Sequence, residues 1–331
     1  MSNLEEIKKS PEFIEKTQKS PEYIAFLKTR ISDSVKPEVA QNMLDFALSE
    51  EEHARALDRV AAYCFNKKSP SAKPTIYLVV AQTGAGKSNL SMSIQRNNNN
   101  VVLIDSDAFK AFNPLKDMII SYDPTHYGFL TGLDAYLHRD EVYDYAIKNG
   151  YDILIEVAPS TKDRLFSIDF DQLKEHGYNV EAHFLAVSEI NSLLSVHERY
   201  ETQIKNGMEA PKLTDLKRAI DSYNAVELIL EDLLTLDCEN INVYRRADLK
   251  NLPKDVPVLE APTLISTDPA VAMETLREVR KQDHDKTLAE ALERIEDVEN
   301  KMKARKAPQS QFDQFEEIKK KVFNYLKIKP E

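Results

Sequence analysis

From Thr75 to about Arg246 the chain alternates short apolar runs with longer segments of helical pattern. The runs Ile76 to Val80, Val101 to Ile104, Ile153 to Ile155, His183 to Val187 and Ile241 to Tyr244 read as buried strands. Strands alternating with helices predict an α/β fold, with a mostly parallel sheet covered on both faces. Two strands follow matching breaks, Asn149-Gly150-Tyr151 and His176-Gly177-Tyr178, where glycine takes the left-handed position that ends a helix.

Outside this stretch the pattern is helical. Ser10-Pro11-Glu12 and Ser20-Pro21-Glu22 each place serine at an N-cap, proline at the first helical position and glutamate in the first turn. Longer helices are expected over Pro37 to Leu48 and Ser49 to Tyr63, and Lys67 to Pro74 reads as a linker. Beyond Thr267 the stripes Val271, Met273, Leu276, Val279, then Leu288, Leu292, Ile295, Val298, Met302, then Phe312, Phe315, Ile318, Val322 predict amphipathic helices. Breaks near Asp283 to Asp285 and at Pro308 favour helices folded back on the core over a coiled coil. The expected organisation is a helical extension over 1–70, a core over 71–250 and a second helical extension over 251–331.

The net charge of −11 argues against general nucleic-acid binding, which needs a basic footprint. No apolar stretch approaches a membrane span and the first residues lack a secretory layout, so a cytoplasmic protein is expected. Cys64 and Cys238 read as small buried hydrophobes, and the seven histidines show no metal-ligand spacing along the chain.

The first apolar run ends in Thr83-Gly84-Ala85-Gly86-Lys87-Ser88-Asn89, the layout of a phosphate-binding loop. Its two glycines let the backbone wrap a phosphate, Lys87 reaches the β- and γ-phosphates, and Ser88 offers a hydroxyl to Mg²⁺. With only 7 glycines in 331 residues, this spacing is not an accident of composition. Ala81 stands where the motif usually opens with glycine, which is tolerable if that position needs no positive φ.

The next strand ends in Asp105-Ser106-Asp107, two carboxylates at the sheet edge where α/β folds bind ligands. Asp107 is the candidate base for drawing a proton from an acceptor hydroxyl, and Asp105 reads equally as a helix N-cap. Glu156 ends the third strand at the same edge, suited to orient an acceptor or hold water on Mg²⁺. Arg199 and Lys212 are candidates for a basic lid that meets a transferring phosphate, but by residue pattern alone the ordinary surface helix, with Glu198 or Glu201 pairing Arg199, is the favoured reading. Arg245-Arg246 after the last strand is either an adenine-stacking pair or a solvated basic turn.

In this order Gly84 to Ser88, Ile104 to Lys110, Gly150 to Glu156, Glu198 to Glu201 and Tyr244 to Arg246 resemble the zeta-toxin family of P-loop kinases, over about Ser49 to Arg246. The resemblance implies ATP and Mg²⁺ as cofactors, UDP-N-acetylglucosamine as acceptor and an epsilon-like antitoxin as partner. It further implies that Lys87 and Ser88 hold the triphosphate and metal, that Asp107 is the base, that Glu156 faces the acceptor and that Arg199 stabilises the phosphate. Lys212 stands for a second arginine, keeping the charge without the two-pronged grip. The chain departs from the family at Val157-Ala158-Pro159-Ser160-Thr161-Lys162, where a threonine and an arginine usually meet the sugar nucleotide; Lys162 or Arg164 is the candidate replacement charge. Residues 1–48 lie outside the clearest match and act as either a packing appendage or an inhibitor in cis.

Overall fold

The computed structural model describes residues 2–31, 35–122, 126–161, 168–236, 238, 240–247 and 262–327. Helices α1 (Ser2–Ile7), α2 (Pro11–Thr17), α3 (Pro21–Thr29), α4 (Pro37–Phe46) and α5 (Glu50–Phe65) open the chain. Strand β1 (Thr75–Val80) leads into α6 (Lys87–Asn97), and β2 (Val102–Ile104) into the short α7 (Ser106–Phe109). Then come α8 (Lys116–Tyr122), α9 (Tyr127–Leu130), α10 (Gly132–Lys148) and β3 (Ile153–Val157). The alternation continues through α11 (Phe170–Glu175), β4 (Asn179–Ala186), α12 (Glu189–Lys205), α13 (Leu216–Thr235) and β5 (Asn240–Arg245). Strand β6 (Thr263–Ser266), α14 (Ala272–Ala304) and α15 (Gln309–Leu326) follow.

The strands form one sheet in the order β2-β3-β1-β4-β5-β6. β1 pairs parallel with β4 and β4 with β5, whereas β6 joins β5 antiparallel. All five expected strands are present, and β6 is an addition that the apolar pattern does not announce. Its four residues are mostly exposed, so they carry no buried face to read. Both glycine breaks take positive φ, with Tyr151 and Tyr178 returning amide bonds to Ala146 and Leu173. No described helix is long and apolar enough to cross a membrane.

Compact packing divides the chain into two units: Met1–Ser71 with Val102–Ile153 and Gly207–Lys212, and Ala72–Val101 with Leu154–Asn206 and Leu213–Glu331. Within the first, the N-terminal helices supply core. Ile7, Phe13, Phe46 and Leu48 pack with Leu115, Ile119 and Leu130, and Leu27, Leu44 and Ala47 with Leu133 and Leu137. The serine-proline starts behave as read: Ser10 and Ser20 accept the amides of Phe13 and Tyr23.

Within the second unit, the last two helices fold back on α12 and α13. Ala291, Ile295, Val298 and Met302 of α14, with Phe315, Ile318 and Val322 of α15, close over Ile190, Leu193, Leu194 and Ala219. The expected break at Asp283 to Asp285 is absent, because α14 runs unbroken through it. Asp283 instead accepts the Ser188 amide and hydroxyl and the Asn191 side chain, tying α14 to the start of α12. The break at Pro308 is real and separates the two helices. Both cysteines are buried, and burial pushes the Cys64 thiol up to about 12, which leaves it unreactive at neutral pH.

Candidate functional site

In the second unit, β1 ends at the loop from Ala81 to Gly86, and α6 starts at Lys87. Gly84 and Gly86 hold φ of 83° and 95°, a region that costs any side chain strain. Gly84 also lies against α12, where an added Cβ would meet the Ser192 carbonyl oxygen at 2.3 Å. Ala81 is not among the positive-φ residues, so the alanine is tolerated where glycine was expected. Lys87 Nζ donates to the carbonyls of Ala81 and Gln82 at 3.0 and 3.1 Å, holding the charge on the loop itself. Ala85 is buried, Thr83 and Asn89 are half-buried, and Ser88 is exposed at the first turn of α6.

Ser88 Oγ lies 3.4 Å from Glu156 Oε2. A hydroxyl beside a carboxylate is a hard-oxygen pair of the kind Mg²⁺ selects. Together with the N-terminal end of α6 and the Lys87 charge, the loop fits a magnesium-bearing triphosphate. The nearby departure from the family is anchored as well: Arg218 donates to the carbonyls of Ala158 and Pro159, and the Thr161 hydroxyl to Asp221. Lys162 and Arg164 lie outside the described residues.

Gln82, fully buried inside the loop, was not singled out by sequence. Its amide donates to the Val187 carbonyl and Ser192 Oγ, and its oxygen accepts from Arg280 of α14 at 3.4 Å. Arg280 is buried, pairs with Glu227 at 3.2 Å and lies 4.2 Å from the Tyr223 ring centroid. Of the basic pair after β5, Arg246 faces the loop, donating to Ser195 Oγ at 2.8 Å and reaching the Gly84 carbonyl at 3.5 Å. Arg245 is exposed and bonds Gln282. Arg199 lies on the exposed side of α12. Of the neighbouring carboxylates, Glu198 pairs with Arg294 and Glu201 with Arg305.

In the first unit, Asp107 sits on α7 between two ammonium groups, Lys110 Nζ at 2.6 Å and Lys212 Nζ at 2.8 Å. Burial raises its pKa, but the two lysines outweigh that and hold the carboxyl well below its usual range. It is therefore ionised, and the same lysine contacts make it a weaker base than a free carboxylate. Lys212, expected on a phosphate, here meets Asp107. Lys110 went unassigned in the sequence although its i,i+3 spacing from Asp107 is readable on a helix. Asp105 is the N-cap of α7, accepting the Asp107 amide at 2.9 Å, and burial raises its pKa.

The zeta toxin family pattern matches residues 60–254. Toxin zeta of Enterococcus hirae is 29% identical over 237 residues, spanning 69% of this chain and 77% of that protein. Toxin zeta of Streptococcus pyogenes is 28% identical over 263 residues, 77% of this chain and 85% of that protein. A solved chain from the PezAT chromosomal toxin-antitoxin system of Streptococcus pneumoniae superposes with a TM-score of 0.58 at 20% identity, over 77% of this chain and 98% of that one. That likeness is one of fold.

Proposed function

Since the chain belongs to the zeta toxin family, whose pattern covers more than half its length, we propose that it is an ATP-dependent small-molecule kinase. Its acceptor is a hydroxyl of a nucleotide sugar such as UDP-N-acetylglucosamine. The observation that carries this reading is the loop from Ala81 to Ser88, with two left-handed glycines, Lys87 at the helix start and Ser88 beside Glu156.

In this reading Thr83 to Asn89 hold the triphosphate, with Lys87 balancing charge on the transferring group. Ser88 and Glu156 would hold Mg²⁺, which would supply neutralising charge to the phosphate oxygens. Asp107 takes the proton of the acceptor hydroxyl, its ionised form maintained by Lys110 and Lys212. Arg199 supplies further charge to the phosphate, and Glu156 also orients the acceptor. Of Arg245 and Arg246, both candidates for the nucleotide site, the contact of Arg246 with Gly84 favours Arg246.

A second reading keeps the kinase and changes the acceptor to another small alcohol. It is favoured by the segment from Val157 to Thr161, whose carbonyls and hydroxyl are bonded to α13. An antitoxin protein is the proposed partner, supported by the fold shared with a chain of a toxin-antitoxin system.

The test incubates the protein with ATP, Mg²⁺ and a panel of UDP-sugars and seeks a gain of one phosphate by mass spectrometry. Asp107→Ala is expected to keep ATP binding and lose about 10²–10⁴-fold in transfer. Equal turnover in the mutant would remove Asp107 as base, and no product with any alcohol would leave a nucleotide-binding interaction protein.

A further inference from the structure

Two histidines far apart in sequence, His53 and His138, are brought together in the first unit, where α5 packs on α10. A ring nitrogen of His53, a ring nitrogen of His138 and a carboxylate oxygen of Glu141 all lie within 4.8 Å of one another. The two imidazoles stack with centroids 4.2 Å apart. Both rings have one nitrogen already committed to an acceptor. His53 Nδ1 is 3.2 Å from Asp134 Oδ1, and Asp134, almost wholly buried, also receives the Leu48 amide. His138 Nε2 is 3.2 Å from the His53 carbonyl, which only an N–H can satisfy, so the proton sits on Nε2 and the lone pair on Nδ1.

That lone pair is the informative atom. His138 is 2% exposed, and its Nδ1 has no hydrogen-bond partner among the described residues. A second buried polar atom close by, the Tyr23 hydroxyl, is equally without one. The Tyr23 ring centroid is 6.4 Å from that of His53, and the Asp134 and Glu141 carboxylates add to the effect of burial in raising its pKa. An ion pair of charged His53 with Asp134 and Glu141 satisfies His53 alone and leaves both orphans unexplained. A metal ion with a bound water would meet both.

We propose that His53 Nε2, His138 Nδ1 and the Glu141 carboxylate form a site for a divalent first-row transition ion such as Zn²⁺. Two imidazoles and a carboxylate are a borderline-soft donor set that suits Zn²⁺ and disfavours Mg²⁺. Asp134 on His53 and the His53 carbonyl on His138 are the acceptors that commonly fix tautomer and ring direction behind a metal. Donors about 2.05 Å from a tetrahedral ion stand about 3.3 Å apart. His53 Nε2 and Glu141 Oε2 are already at 3.0 Å, and the Glu141 side chain, 46% exposed, can adjust. The ion would staple α5 to α10.

The experiment uses full-length protein stripped with a chelator and titrated with Zn²⁺ against a chromophoric competitor, with thermal unfolding in parallel. One ion per chain is expected, with a dissociation constant below the micromolar range and a raised Tm. Co²⁺ in its place should give the intense visible bands of a four-coordinate ion. Glu141→Gln alters a half-exposed side chain and will fold; it should weaken binding at least tenfold, as should His138→Gln. His176→Gln, an exposed histidine of the second unit, should leave binding unchanged. Wild-type binding no tighter than that of Glu141→Gln, or an ion retained in both variants, would overturn the site and leave a buried ion-pair network.

Discussion

Replacing Gly84 by alanine tests whether the phosphate loop is held by its contact with α12. Alanine at φ +83° costs about 1–2 kcal/mol in backbone strain alone. Its Cβ would also stand 2.3 Å from the Ser192 carbonyl oxygen and 2.9 Å from Val196 Cγ2. The first of these is backbone of a helix and cannot rotate away, so the loop must lift, adding about 1–3 kcal/mol of overpacking. The sum is about 2–5 kcal/mol. At roughly 2–4 °C per kcal/mol for a domain of this size, Tm should fall by roughly 4–20 °C. Gly177→Ala is the control, because that residue has φ +70° and nothing within 4 Å of the added atom, so it costs about 1–2 kcal/mol of strain only. Gly86→Ala should resemble the control in stability, its nearest neighbour being Arg246 Nε at 3.7 Å. Differential scanning calorimetry gives the stability difference, and titration with a fluorescent ATP analogue reports the loop, where Gly84→Ala should lose at least tenfold in affinity relative to Gly177→Ala through displacement from α12. A Gly84→Ala protein with the Tm of Gly177→Ala and wild-type nucleotide affinity would refute the reasoning.

Arg280→Ala leaves the Gln82 oxygen without its buried donor and Glu227 with Arg277 alone, and should cost about 1–3 kcal/mol, read by urea unfolding, together with weaker nucleotide binding; wild-type values in both would show that α14 does not brace the loop. His197 is buried against Phe315, and burial, helped by Arg305, lowers its pKa to about 4 from about 6.5 in the unfolded chain. It is neutral in both states above pH 6.5, so its cost appears as pH falls from about 6.5 toward 4, where the unfolded chain alone takes the proton, and levels off near 3 kcal/mol. Unfolding of wild type and His197→Gln at pH 7, 5 and 4 should show that differential, and a pH-independent difference would exclude it. Deleting residues 1–48 should yield insoluble or unfolded protein, because Leu115, Ile119, Leu130, Leu133 and Leu137 lose their cover. A soluble, folded and more growth-inhibitory truncation would instead establish inhibition in cis.

What short-range physics decides is legible along the chain. The strand ending at Val80, the turn through Gly84 and Gly86 and the helix opened by Lys87 lie within a few residues of one another, so backbone sterics and apolar run length suffice to place them. The same holds for the Ser10 and Ser20 caps, whose partners are three residues away. Only the tertiary structure decided the pairs that no window contains. Arg280 meets Gln82 across 198 positions and Lys212 meets Asp107 across 105. The polar turn at Asp283 to Asp285 looked like a helix end because its partners, Ser188 and Asn191, are supplied by another element. His138 and Glu141 share a face of α10 at i,i+3 spacing, but His53 joins them only because α5 packs on α10. Side-chain type and short-range order are properties of the chain, whereas the choice among many distant polar partners is made by the packing of apolar faces that brings their helices together.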